Sequence, residues 1–172
     1  MKNKMTIFIK LIAVFVILYN SISAQDSNAA LNYNNDMIAI QTSVDDAITI
    51  FVNSLDTFDP DLMVKERKNT LKAIKKANKD ISAMEDFDGK DFKNEMKEFV
   101  KMYKEIATKE LTKIMKLIIK RGENFNESDW DTYDKYYESA LQKYDAAFDR
   151  FNKFQKEFAD KWYFTIEGDD SD

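Results

Sequence analysis

Residues 130–162 read WDTYDKYYESALQKYDAAFDRFNKFQKEFADKW, and this stretch decides the fold. Trp130, Tyr133, Tyr137, Tyr144, Phe148, Phe151, Phe158 and Trp162 follow one another at intervals of three, four or seven residues. That period lines one face of an α-helix, here for about eight turns at 3.6 residues each. Asp129, Asp131 and Asp134 open the stretch, and Arg150, Lys153, Lys156 and Lys161 close it. Acids at the start and bases at the end oppose the helix dipole. A helix over about 127–164 is expected, with Asn126 or Ser128 as its cap. The acidic run 167–172 should follow as a frayed, solvated tail.

The same period recurs upstream. Phe92, Met96, Val100, Tyr103, Ala107, Leu111, Ile114 and Ile118 predict one continuous helix over about 89–121, capped by Asp88 and stopped by Gly122. Met63, Leu71, Ile74, Ala77, Ile81 and Met84 predict a second helix over about 60–85. The pair Asp59-Pro60 supplies a capping carboxylate followed by a proline at the first helical position. Tyr33, Met37, Ile40, Val44, Ile48, Phe51 and Leu55 predict another over about 29–57. Strand-like alternation with turn pairs is absent. Four long helices joined by breaks of about four or five residues fold back on their neighbours. The expected fold is therefore all-α, an antiparallel up-down-up-down four-helix bundle over residues 25–166.

Composition removes many chemistries. The 172 residues include no Cys and no His, so there is no disulfide frame, thiolate zinc site, thiol nucleophile, Ser-His-Asp triad or His-ligated metal. No cofactor or metal ligand set is expected. The Asp86–Gly89 break hints at a calcium loop, but Asp91 and Lys97 fall where such a loop needs Gly and Glu. Asn126-Glu127-Ser128 is a glycosylation sequon, meaningful only in a eukaryotic secretory pathway. The 31 acids offer many carboxylate pairs, none of them in a motif that separates it from surface charge.

The first residues carry an address. Lys2, Lys4 and Lys10 precede an apolar run from Leu11 to Tyr19 and then Asn20-Ser21-Ile22-Ser23-Ala24. These are the three regions of a secretory signal over residues 1–24, with cleavage expected after Ala24. Nine apolar residues are too few to span a bilayer. Loss of the three lysines moves the net charge from −5 to −8. An exported acidic protein is a poor ligand for nucleic acid, and no transmembrane span is expected in the mature chain.

Three surfaces are candidates for function. Between Gln25 and Val64 there is no Lys or Arg. The outward side of the first helix should show Asn32, Asn35, Ala39, Thr42, Ser43, Asp46, Ile50 and Asn53. Small and amide side chains without lysine resemble a contact face, for a homodimer or a partner helix, because interfaces are depleted in Lys and Glu. Compositional drift along the chain would explain it equally. A polar layer is expected inside the bundle, where Asn34, Gln41 and Asn78 point inward near Tyr103 and Tyr144. Buried amides must be bonded, and such a layer fixes helix register unless it holds a small ligand. The aromatic stripe is core by default, and Trp130, Tyr133, Tyr137 and Trp162 are its candidate ligand-facing members. Of the aromatics outside the stripe, Tyr136, Tyr163 and Phe164 are those whose exposure is informative.

A fourth feature, the lysine run Lys65, Lys68, Lys72, Lys75, Lys76 and Lys79, would suit an anionic membrane, a glycan or an acidic partner. The run is read as a solvated face, with pairing to the acidic first helix beside it as a further reading.

The end of the apolar segment, Ser21-Ile22-Ser23-Ala24-Gln25, followed by Ala30, Tyr33, Asn34, Asn35, Ile38 and Gln41, resembles the start of uncharacterised exported helical proteins of Gram-negative bacteria, often labelled surface proteins. The resemblance implies a periplasmic, cell-surface or secreted bundle and brings no catalytic residue. No Cys follows the apolar run, a departure from lipid-tethered relatives. The expected function is a non-enzymatic interaction module at the cell envelope. The alternatives are a carrier of a small apolar or aromatic ligand in the bundle core and, last, a two-carboxylate hydrolase.

Overall fold

The computed structural model describes residues 24–122 and 124–166. Among them the chain is all-helical, with no strand: α1 (Ala24–Leu55), α2 (Pro60–Ala83), α3 (Asp91–Thr108), α4 (Glu110–Arg121) and α5 (Glu127–Lys161). The expected signal segment lies outside the described residues except for Ala24, and the acidic tail lies outside them too.

The helix ends follow local chemistry. Asp59 Oδ1 accepts from the amides of Asp61 (2.9 Å) and Leu62 (3.1 Å), with Pro60 in the first turn. Gly122 ends α4 at φ 56°, where its amide reaches Ile118 O at 2.7 Å. Asn126 caps α5 in a reciprocal box: its Oδ1 accepts from Asp129 N at 3.0 Å, while Asp129 Oδ2 accepts from Asn126 N at 3.2 Å. The sequon asparagine is thus already committed to its helix.

Two expectations are corrected. Asp88 does not cap α3; Lys90 holds that position without a side-chain bond. Asp88 sits at φ 51°, and its carboxylate instead accepts from Trp162 Nε1 at 3.2 Å and pairs with Lys161. Asn and Asp tolerate this left-handed backbone better than most residues.

The helix expected over 89–121 is interrupted at Lys109 (φ −104°, ψ −75°). Thr112 Oγ1 donates to Ala107 O at 2.6 Å, occupying the carbonyl that Leu111 N–H would take in an unbroken helix. Arg67 Nε from α2 donates to the same hydroxyl at 2.7 Å. A side chain inserted into the ladder is a standard cause of a helix break.

Packing places α1 chiefly against α2, α2 against α3, and α5 against both α3 and α4; α1 and α5 meet far less closely. The core is aromatic at one end. Phe92 lies 4.7 Å from Phe158 and 5.8 Å from Phe151, and Phe99 lies 4.9 Å from Phe151, measured between ring centres. Each fully buried Phe contributes roughly 1.5–3 kcal/mol of transfer free energy. At the other end the two turns meet through Phe58 and Phe125, 6.4 Å apart.

Candidate functional site

The inner face of α1 is built of Ala30, Met37, Val44, Ile48, Phe51 and Leu55, all buried. Thr70 of α2 is buried against it, and its hydroxyl donates to Ala47 O at 2.8 Å. With this side of α1 fixed, the opposite side must face outward. Asn32, Asn35, Ala39, Ser43, Asp46, Ile50 and Asn53 are exposed, and Thr42 is half-buried. Ile50 keeps 53% of its surface open. The eight residues therefore share one accessible face, and no Lys or Arg lies between residues 25 and 64 to give that face a cation of its own.

The seam between α1 and α5 carries the polar chemistry. Gln155 Nε2 donates to Asn34 Oδ1 at 3.0 Å, and both residues are 3% exposed. Further along, burial and the neighbouring Asp46 push the Asp45 carboxyl up from 3.8 to about 7. Burial and then the Asp45 charge raise the Tyr144 phenol above its ordinary range. Toward the turn, burial pushes Tyr133 up to about 12, with Asp56 adding to it, and the same two causes raise Tyr137. Asp45 of α1 and Asp56, just past its end, thus lie within electrostatic reach of the α5 phenols.

The expected polar layer is only partly assembled. Asn34 is buried and bonded, but to Gln155, which is outside the expected layer. Gln41 is buried. Asn78 turns its amide back to Ile74 O of its own helix at 2.9 Å and does not cross to Gln41. Tyr103 and Tyr144 meet edge to face at 6.1 Å, and the Tyr103 hydroxyl, buried at 1% exposure, has no hydrogen-bond partner among the described residues. Gln155 was detectable: it is the polar residue at helical spacing between Phe151 and Phe158.

The candidate ligand-facing aromatics divide. Trp130, 39% exposed, lies 4.8 Å from Phe125 and 5.8 Å from Tyr133, which stacks on Tyr137 at 6.1 Å. Trp162 is half-buried at the far end of α5, 5.0 Å from Phe87, where Lys161 lies 5.9 Å over its ring. Tyr163 is 67% exposed, whereas Tyr136 and Phe164 are half-buried.

A groove of about 350 Å³ runs between α3 and α5, over a floor that includes Phe99 and Met102. None of the four candidate aromatics lines it. Ion pairs stand at it: Arg150 to Glu95 at 2.7 Å, and Lys143 to the buried Glu110 at 2.7 Å. Among the described residues no group of three or more acids is placed to hold a metal, and no helix is long and apolar enough to cross a membrane.

No protein-family model matches the chain, and no curated protein or solved structure matches it significantly.

Proposed function

We propose that this chain is an exported, non-enzymatic interaction module of the cell envelope. In this reading a cleaved signal delivers an antiparallel up-down-up-down bundle, and α1 supplies the contact face. The registers support the topology. Contacts of α1 with α2 at Ala47–Thr70, of α2 with α4 at Arg67–Thr112, and of α1 with α5 at Asn34–Gln155 suit neighbours running in opposite directions. The resemblance of residues 21–41 to exported Gram-negative surface proteins supports the address.

The observation that carries the reading is the exposed side of α1. In a chain with 26 basic residues, it presents Asn32, Asn35, Ala39, Ser43 and Ile50 and no cation. Depletion of lysine beside an open Ile50 is the pattern of a contact surface. A second copy of the chain or a helix of a partner would cover it.

Photo-crosslinking in intact cells tests this. A photoreactive residue at Asn35 or Ala39 should give discrete adducts, and one at exposed Glu157 on α5 should not. Equal labelling at all three would reject the face.

The alternative, a carrier of a small ligand, rests on the 350 Å³ groove, a volume within the range of ligand sites. The charged rim would select an amphipathic ligand there rather than a purely apolar one. Co-purified small molecules released on denaturation, and lost in Met102→Lys, would favour it.

A further inference from the structure

The lysines of α2 do not stand alone. Lys68, Lys72, Lys75 and Lys79 are exposed, and none has an ion-pair partner among the described residues. Of the acids of α2, Glu66 pairs with Lys65 and Asp80 with Lys76, while exposed Asp61 stands on the lysine side in the first turn, two turns before Lys68.

The contact between Arg67 and Thr112 sets α4 beside the first half of α2, and Lys93 Nζ, bonded to Met84 O at 2.6 Å, sets α3 beside its end. Helical spacing from Lys93 brings Lys97 and Lys104 to the same flank of α3, and Lys116 lies one turn beyond Thr112 on α4. These three also lack ion-pair partners among the described residues. Glu95, Glu98 and Glu105 of α3 lie on the other side, along the groove toward α5, where Glu95 pairs with Arg150.

One side of an acidic molecule is therefore basic. α1 packs directly on α2, so its acids are near neighbours; the acids of α5, which packs on α3 and α4, lie across the molecule, about 20 Å from the α2 lysines at roughly 10 Å per helix layer. That exceeds the Debye length of about 8 Å at physiological salt, so the α5 acids do little to cancel the basic face.

Two apolar side chains sit on this face: Val64, one turn before Arg67 and 53% exposed, and Ile119, two turns beyond Thr112 and 41% exposed. A soluble polyanion would satisfy the lysines and leave both in water. A bilayer satisfies both groups at once, with phosphates for the ammoniums and the interfacial region for the short apolar chains.

We propose that the face formed by α2 with α3 and α4 docks peripherally on bilayers carrying anionic phospholipids, with Val64 and Ile119 entering the headgroup layer. This surface is separate from the α1 face, and either can fail with the other intact.

Co-sedimentation of the purified protein with vesicles tests it. Binding is expected to phosphatidylcholine vesicles containing phosphatidylglycerol and not to phosphatidylcholine alone, and high salt should release the protein. Lys72→Gln with Lys75→Gln, both solvated and unpaired, should weaken partitioning about twenty-fivefold, at about fivefold per lysine. Val64→Asn with Ile119→Asn should weaken vesicle binding severalfold and leave retention on dextran sulfate unchanged, with circular dichroism reporting the fold throughout. Absence of preference for the anionic vesicles, or unchanged binding by the lysine variant, would overturn the proposal. So would vesicle binding indifferent to Val64 and Ile119, because the site would then be one for a soluble polyanion.

Discussion

The Asn34 and Gln155 amides meet at 3.0 Å across the seam of α1 and α5, 121 residues apart in the chain and each 3% exposed. Apolar side chains slide past one another at little cost, whereas a buried amide bond is made in one register only. Asn34→Leu leaves the Gln155 amide buried without that partner and should cost about 2–3 kcal/mol in urea denaturation. Adding Gln155→Leu should recover most of the loss, because both polar groups are then gone. A double-variant loss equal to the sum of the two single losses would show that the pair contributes no coupling.

Asp45 ties stability to pH with a definite sign. Its carboxyl titrates near 7 in the folded protein, against 3.8 ordinarily. Between these values the unfolded chain has released a proton that the folded chain keeps, so this group lowers stability as pH rises from about 4 to 7, and the effect levels off above. Asp45→Asn should match the parent near pH 4 and exceed it by about 1–3 kcal/mol at pH 8. Parallel stability curves for parent and variant would contradict this.

The Tyr103 hydroxyl gives a simpler case. It is buried without a hydrogen-bond partner among the described residues, so its desolvation is not offset. Tyr103→Phe should be neutral or stabilising by up to about 1 kcal/mol, read from the thermal midpoint. A loss above that would reveal a partner for the oxygen.

The break at Lys109 depends on a contact between helices. Thr112→Val removes both the acceptor for Arg67 and the donor to Ala107 O, and should cost about 1–2 kcal/mol in urea. Hydrogen exchange at Leu111 should slow if the ladder then closes. Unchanged exchange and stability would assign the break to another cause.

These cases mark what was legible in the chain. Local signals carried far: the three-and-four spacing of Phe51, Ile74, Phe92 and Phe158 placed them in the core, and Asp59-Pro60 marked a helix start that the structure keeps. What escaped depends on tertiary neighbours. An uninterrupted apolar stripe through Ala107 and Leu111 gave no sign of the break, because Arg67 comes from another helix. Asp88 has the chemistry of a cap, but Trp162 and Lys161 claim its carboxylate from 74 and 73 positions downstream. The α2 lysines were visible as a run, but their continuation on α3 and α4 depends on which helices are neighbours. Helical spacing puts Asn34 inside, but its partner is Gln155, about three turns along α5 from the Tyr144 of the expected layer.

The central claim, that the lysine-free side of α1 is a contact surface, is tested most directly by sedimentation velocity across a dilution series. The purified protein should shift from monomer to dimer as concentration rises. Ala39→Lys with Ser43→Lys, which adds two cations to that side without touching the core, should hold it monomeric with an unchanged thermal midpoint. A parent that stays monomeric throughout, in a cell envelope where residues 35 and 39 also give no crosslinks, would contradict the account.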